Sequence, residues 1–143
     1  MDTIGLRERH LQNDKHALYK DWFVNGCFFQ DSLKQRYADA FSLGRYKHEF
    51  IPIRRRKASP FDALACNAAV GYLPLYGCQD DCCIYIYAKV AYAQHQLIWL
   101  GLAQDRYYFG SQKTVNHQLS WLPGFEPLTF QRQSFEQLYQ LTT

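Results

Sequence analysis

The sequence feature that most constrains the fold is a pair of apolar stretches within residues 83–102 (CIYIYAKVAYAQHQLIWLGL). Apolar side chains recur at every second position of the first stretch, which is the period of an extended strand with one buried face. A polar connection of hairpin length follows, so residues 97–102 are predicted to return antiparallel with Trp99 as an anchor. The alternating positions are Ile84, Ile86, Ala88 and Val90, and the connection is Gln94-His95-Gln96.

The rest of the chain has the composition of one compact domain, residues 1–143. Hydrophobic residues make up 48% and aromatic residues 17% of it, which supplies enough apolar surface for a core without disulfide bonds. No repeat, low-complexity tract or change in composition marks a second domain.

The flanking segments predict shorter elements around this hairpin. Residues 3–10 and 18–25 have the composition of strands, and Asn25-Gly26 is a strong turn signal. Three helices are expected, with their starts at Gln30 or Asp31, at Ser59 and at Ser134. Gly71 is expected to end the second of them. The predicted fold is therefore an α+β domain in which about three helices pack against an antiparallel sheet.

Charge and hydropathy exclude several classes of function. The net charge of +3 is small for a nucleic-acid-binding domain, and residues 54–57 (RRRK) form the one dense basic cluster. Aromatic and basic residues do occur together at 45–50 and 106–109, so a weak nucleic-acid binder stays an alternative. No apolar run reaches the length of a membrane span, and the first residues do not resemble a secretory signal. We expect a cytoplasmic protein with reduced cysteines and no membrane partner.

The cysteines at 78, 82 and 83 raise the possibility of a metal site. A structural zinc site needs four ligands, and Cys78-x-x-x-Cys82 supplies one pair of the usual spacing but no second pair. The alternative is that Cys83 packs as a small apolar residue while Cys78 and Cys82 flank a tight loop. The residues favour this second interpretation of the cysteines, so we predict that the protein binds no metal and no cofactor.

Catalytic patterns are missing from the sequence. Asp80 and Asp81 have no third acidic residue beside them, which favours a turn-stabilising role over cation binding. Phosphate-binding, zinc-protease and serine-hydrolase motifs do not occur. No catalytic residue is predicted, and a cysteine nucleophile in the loop at 78–83 is kept only as the alternative.

Five segments occur in an order that resembles a set of small bacterial proteins. The segments are Trp22 to Gly26, Leu75 to Cys78, Asp80 to Cys82, Ile84 to Val90 and Ile98-Trp99. Those proteins have a strand ending in I-N/D-G and a helix, then an LY-x-C … GD-x-x-C-G loop and a strand with a tryptophan. The resemblance covers residues 18–102. Some proteins of this type are immunity proteins of contact-dependent growth inhibition or other toxin systems.

The resemblance implies a bacterial immunity protein that binds a cognate toxin and is not an enzyme. Tyr, Trp and Arg dominate binding hot spots, so exposed residues of these types are candidates for the contact surface. The pI near 8.6 argues against a basic nuclease as the partner unless a local acidic patch such as Asp80-Asp81 is present. The predicted contact residues are Arg54, Arg55, Arg56, Asp80, Asp81, Tyr85, Tyr87, Tyr107 and Tyr108. The alternative is a small metal-binding or cysteine-dependent enzyme that uses residues 78–83.

Overall fold

A computed structural model describes residues 1–12, 14–37, 49–52, 70–78, 85–105 and 119–142. These residues form antiparallel strands in two sheets and two helices of eight residues each. In chain order the elements are β1 Ile4–His10, β2 Leu18–Val24, β3 Cys27–Phe28, α1 Phe29–Arg36, β4 Phe50–Pro52, β5 Val70–Cys78, β6 Tyr85–Tyr92, β7 Gln96–Asp105, β8 Leu119–Trp121, β9 Leu128–Gln131 and α2 Arg132–Tyr139.

The smaller sheet has the strand order β1-β2-β3. β1 and β2 pair along their whole length, from Ile4 opposite Val24 to His10 opposite Leu18. Asn25 and Gly26 connect β2 to β3 with φ of 50° and 84°. Two consecutive positive φ angles are the geometry of a type I′ turn, which Asn-Gly favours because Gly lacks a Cβ. The predictions of an edge strand at 3–10, a strand at 18–25 and this turn are confirmed.

The larger sheet has six strands in the order β4-β5-β6-β7-β8, and β9 pairs with β7 beside β8. The first half of β7 pairs with β9 and its last residues pair with β8, so β7 is central to the sheet. β6 and β7 form the predicted hairpin, in which Leu100 is a bulge between Trp99 and Gly101. Ala93 N donates to Gln96 O at 2.9 Å and closes the turn.

One core connects the two sheets. Trp22 from β2 stacks on Phe135 from α2, with ring centroids 5.8 Å apart, and meets Trp99 edge-on at 6.5 Å. The indole Nε1 of Trp22 donates to the carbonyl of Leu75 in β5 at 3.3 Å. Trp22 and Trp99 are fully buried, and the predicted role of Trp99 as an anchor is confirmed. Burial of such large aromatic surfaces is the main stabilising contribution available to the fold.

The predicted fold class is wrong for the described residues, which are mainly antiparallel strands with only two short helices. α1 ends at Arg36, with Tyr37 as its C-cap. Gly71 does not cap a helix: it lies inside β5 and pairs with Val90, because ladder pairing on β6 outweighs its local preference. The rest of that predicted helix, residues 59–69, lies outside the described residues.

The last helix is confirmed in position but not in its start. α2 begins at Arg132, two residues before Ser134, and Gln131 precedes it. The spacing of Ser134 and Gln137 predicts a capping box, but Ser134 Oγ donates to Gln131 Oε1 at 2.6 Å and no side chain caps the helix. β9 runs directly into α2, and the pairing of Gln131 with Gln96 fixes the point at which the helix starts.

Candidate contact surface

Arginine and aromatic side chains gather on one face of the three-stranded sheet. Paired residues of β1 and β2 have numbers that sum to 28, so odd-numbered positions of both strands share a face. The Asn25-Gly26 turn then places Phe28 of β3 opposite Phe23 of β2. We call this surface the arginine–aromatic face, and it consists of Arg7, Arg9, Tyr19, Phe23 and Phe28.

The two arginines lie over the aromatic rings of this face. Arg7 Cζ is 4.0 Å from the centroid of the Phe23 ring, and Arg9 Cζ is 4.2 Å from that of Phe28. The two phenylalanine rings meet edge to face at 5.1 Å. Cation–π contacts at partly exposed sites contribute about 0.5–1 kcal/mol each and restrict the rotamers of the arginines. These contacts therefore favour positions of the two guanidinium groups above the rings.

Carboxylates neutralise Arg9 but not Arg7. Arg9 Nη1 lies 3.1 Å from Asp21 Oδ2 and 3.1 Å from Asp31 Oδ1. Arg7 is exposed and has no carboxylate partner within the described ranges. Of the two guanidinium groups, Arg7 therefore presents the positive charge that a partner can use.

A buried polar cluster of Asp21, Gln30 and Tyr76 lies behind Arg9. All three side chains are at most 1% exposed. Tyr76 Oη donates to Asp21 Oδ1 at 2.7 Å, and Gln30 Nε2 donates to Asp21 Oδ2 at 2.7 Å. The Gln30 amide also bonds both backbone groups of Phe50 in β4, with Nε2 to Phe50 O at 2.9 Å and Phe50 N to Oε1 at 3.0 Å. The cluster ties β2, α1, β4 and β5 together.

Burial changes the acidities within this cluster. It raises the pKa of Asp21, and hydrogen bonds from Tyr76, Gln30 and Arg9 oppose that rise. It also raises the pKa of Tyr76 well above the ordinary value, and the neighbouring Asp21 charge acts in the same direction. Each oxygen of Asp21 accepts at least one hydrogen bond and neither reaches the surface. The carboxylate therefore acts as an anchor that fixes the position of Arg9.

A cavity of about 260 Å³ opens beside the same sheet. Its walls are mainly apolar, and Lys20, Tyr19 and Thr142 are the lining residues with polar side-chain atoms. Gln30 Nε2 donates to Tyr19 Oη at 3.1 Å, which connects the cavity wall to the buried polar cluster. The remaining lining residues are Leu6, Ile51, Pro52 and Leu141.

An exposed aromatic residue, Trp121, lies on the six-stranded sheet. Its side chain is 42% exposed, and the Tyr72 ring lies 5.9 Å from it. Lys89 Nζ lies 6.0 Å from the Trp121 ring centroid. Gly101 leaves room for the indole, since a Cβ at that position would lie 3.4 Å from Trp121 Cζ3.

The structure tests few of the predicted contact residues. Tyr87 is 1% exposed, so it does not form part of an exposed surface. The backbone of Tyr85 belongs to β6, but its side chain is not among those described. The other predicted contact residues lie outside the described residues, namely Arg54, Arg55, Arg56, Asp80, Asp81, Tyr107 and Tyr108.

The cysteine loop is similarly outside what the structure describes. Cys78 is the last residue of β5, and residues 79–84 follow it without description. Cys27 in β3 is an exposed free thiol. In the described part of the chain, no group of three or more His, Cys, Asp or Glu side chains could hold a metal ion. A metal site at residues 78–83 therefore stays an untested alternative.

The sequence contained a signal for the arginine–aromatic face that the sequence interpretation missed. Once Asn25-Gly26 is taken as a two-residue turn, the register of β2 with β3 follows, and Phe28 must share a face with the odd-numbered residues of β2. The buried polar cluster had no such signal. Its members Asp21, Gln30 and Tyr76 lie up to 55 residues apart and meet only through tertiary structure.

Comparison with known proteins does not assign this surface a function. No family model, no curated protein and no solved structure matches the chain. In the ranges that the structure describes, neither helix has the length and apolar character needed to cross a membrane.

Proposed function

We propose that this chain is a non-catalytic, cytosolic protein-binding module that neutralises a cognate bacterial toxin, and that it contacts the toxin through the arginine–aromatic face. The observation that carries the proposal is the geometry of Arg7, whose guanidinium group is held 4.0 Å above Phe23 without a carboxylate partner among the described residues. The toxin role comes from the resemblance in sequence.

The composition of this face supports a role in protein binding. Arginine and aromatic residues are the types that contribute most to binding free energy at interfaces. A side chain that is already ordered loses less entropy on binding, which increases affinity. Arg9, whose position is fixed by Asp21 and Asp31, packs over the Phe28 ring and so restricts that ring as well.

Charge indicates the type of surface that the partner presents. The chain carries a net charge of +3, and Arg7 places one of its positive charges at the proposed contact. Complementary charge accelerates association and orients the partners. The proposed toxin domain therefore presents an acidic contact surface, and a strongly basic nuclease does not fit.

Growth protection tests the proposal in cells. The product of the adjacent gene, taken as the candidate toxin domain, is expressed with the wild-type chain, with Arg7→Glu and with Lys15→Glu. Lys15 is an exposed residue of the turn after β1, so it controls for the change in net charge. We expect growth with the wild type and with Lys15→Glu, and loss of protection with Arg7→Glu at an unchanged melting temperature. A wild-type chain that neither protects nor binds the toxin domain would contradict the proposal.

The second hypothesis, a metal-binding or cysteine-dependent enzyme built on residues 78–83, remains open because most of that loop is outside the described residues. Metal analysis of the purified protein distinguishes it. Stoichiometric zinc that is lost in Cys78→Ser or Cys82→Ser would favour it over the binding module.

A further inference from the structure

Two of the edge strands, β1 of the smaller sheet and β4 of the larger sheet, differ in character, and β4 is protected. Phe50 directs its N–H and C=O away from β5, and the side-chain amide of Gln30 forms a hydrogen bond with each of these two groups. Pro52, two residues later, has the same orientation and lacks an N–H. These features close β4 to a further strand, which is how native sheets avoid unwanted pairing.

Among the residues that the structure describes, none protects the outer edge of β1 in this way. Thr3 O accepts from Asn25 N at 3.1 Å, and Leu11 N donates to Ala17 O at 3.0 Å, so odd-numbered residues direct their backbone groups toward β2. Because the direction alternates along a strand, Leu6, Glu8 and His10 direct their N–H and C=O groups outward. Within the ranges described, β1 pairs with no strand other than β2.

The geometry of β1 suits the addition of a strand. Its register with β2 is unbroken over seven residues and contains no bulge or proline. Asp2 N donates to Thr129 O at 2.9 Å, which joins the start of this edge to β9 and fixes where the open part begins. An extended edge with free backbone groups is a template for pairing with another chain.

The side chains beside this edge select what can pair with it. Arg7 directs its backbone inward, so a residue opposite it on an added antiparallel strand forms a non-hydrogen-bonded pair, the kind with the closer side chains. The Arg7 guanidinium lies over Phe23, on the β2 side of β1, so its charge attracts a carboxylate at that position across the width of β1 and repels a cation there. On the opposite face, Leu6 lines the cavity together with Leu141, which favours apolar neighbours.

We infer that the outer edge of β1 is the docking site for an extended segment of a partner protein, which adds as an antiparallel strand with an acidic residue opposite Arg7 and apolar residues on the Leu6 side. This inference adds a docking site to the proposed function. The identification of the partner as a toxin rests on that proposed function. A second copy of this chain is a poorer occupant when paired about Arg7, because two arginines would then face each other.

Labelled peptides test the edge in the full-length chain. The probe is a nine-residue blocked peptide of alternating valine and threonine with a central aspartate, followed by fluorescence anisotropy. A second peptide carries lysine in place of the aspartate, and a third carries N-methyl groups at alternate residues to remove its donors. We expect the aspartate peptide to bind about tenfold more tightly than either of the others. Equal binding of the N-methylated peptide would overturn the inference.

Glu8→Pro blocks the edge without removing a bond to β2, because the Glu8 N–H directs outward and a proline at an edge position is tolerated. We expect this variant to keep its melting temperature and to bind the aspartate peptide at least about tenfold more weakly. Unchanged binding would overturn the inference. Hydrogen exchange of the wild type gives a readout that needs no variant: the amides of Leu6, Glu8 and His10 should become protected when peptide is added, and a lack of protection there would contradict it.

Two further results separate this inference from the proposed function. If Glu8→Pro still neutralises the toxin as the wild type does, the edge is not the docking site although the binding role stands. If the wild type binds the aspartate peptide but no toxin domain, the edge site stands and the proposed function fails. Sedimentation of the chain alone covers the remaining occupant: a dimer that Glu8→Pro abolishes would assign the edge to a second copy and overturn the inference.

Discussion

The side-chain amide of Gln30 forms hydrogen bonds with both backbone groups of Phe50, accepting from Phe50 N at 3.0 Å and donating to Phe50 O at 2.9 Å. It thereby occupies the place that a neighbouring strand would take at the edge of β4. The same amide donates to Asp21 Oδ2, so one buried side chain satisfies a sheet edge and an anion together. Gln30 is 1% exposed, and water cannot replace these bonds.

Replacement of Gln30 is therefore expected to be costly. Gln30→Ala leaves the buried N–H and C=O of Phe50 and one oxygen of Asp21 without this partner. We expect a loss of about 2–4 kcal/mol in the free energy of unfolding, since an unsatisfied buried polar group costs about 1–3 kcal/mol. Urea denaturation measures it. Gln35→Ala, at an exposed position of the same helix, is the control and should change stability by less than about 0.5 kcal/mol. Equal effects of the two substitutions would contradict the role of Gln30.

Tyr76→Phe tests the electrostatics of the buried polar cluster. It removes the hydroxyl that donates to Asp21 Oδ1, with an expected loss of about 1–3 kcal/mol. The folded pKa of Asp21 is raised by burial, so the contribution of Asp21 is full below its unfolded pKa and is lost as the pH rises through the folded pKa. Without the Tyr76 donor that pKa rises further, so the deficit of the variant should grow with pH. Denaturation between about pH 4 and pH 8 measures it.

Tyr139→Phe is the matched control for this experiment. Its hydroxyl donates to the neutral carbonyl of Pro74 at 2.8 Å, and the residue is as deeply buried as Tyr76. Its deficit should therefore be independent of pH over the same range. A Tyr76→Phe deficit that is likewise flat with pH would show that the cluster does not control the protonation of Asp21.

Local pattern was sufficient to predict the elements whose partners lie nearby in the chain. Alternation in residues 84–90 and the polar connection at 94–96 predicted the hairpin of β6 and β7, because both strands bury the same apolar face. Asn25-Gly26 predicted its turn because the backbone angles of the turn follow from these two residue types. These signals need no knowledge of distant contacts.

The errors arose where distant contacts decide the structure. Gly71 has the chemistry of a helix end, yet pairing with Val90 places it in β5. Ser134 and Gln137 have the spacing of a capping box, yet α2 starts at Arg132 because β9 is fixed by β7. The buried role of Gln30 depends on Phe50, which joins it through tertiary structure alone. Local propensity is a weak guide where ladder pairing competes with it.

The two buried tryptophans offer a test of the contact between the sheets. Trp22 Nε1 donates to Leu75 O at 3.3 Å, whereas Trp99 Nε1 is buried without a partner among the described residues. Both Trp→Phe substitutions remove the same ring atoms. We expect Trp22→Phe to cost about 1 kcal/mol more in thermal denaturation, because it also loses a hydrogen bond. An equal or larger cost for Trp99→Phe would contradict this role of Trp22.

The N-terminus provides a test by pH of how the two sheets are joined. Asp2 Oδ2 accepts from Thr129 N at 2.8 Å and Oδ1 accepts from Asn25 Nδ2 at 3.0 Å. These bonds, the one from Thr129 first, lower the pKa of Asp2. The stability that Asp2 contributes is therefore present above its unfolded pKa and is lost as the pH falls through the folded pKa. Asp2→Asn should be less stable than the wild type at neutral pH, and the difference should disappear in acid. A difference that persists at pH 2 would contradict the assignment.

Calorimetric titration of the purified toxin domain into the chain tests the central claim most directly, because it measures affinity at the arginine–aromatic face without the requirements of a living cell. Wild type, Arg7→Glu and Lys15→Glu are compared at equal ionic strength. We predict that Arg7→Glu raises Kd by at least about tenfold, while Lys15→Glu changes it by less than about threefold. Equal affinity of all three proteins for the toxin domain would contradict the account.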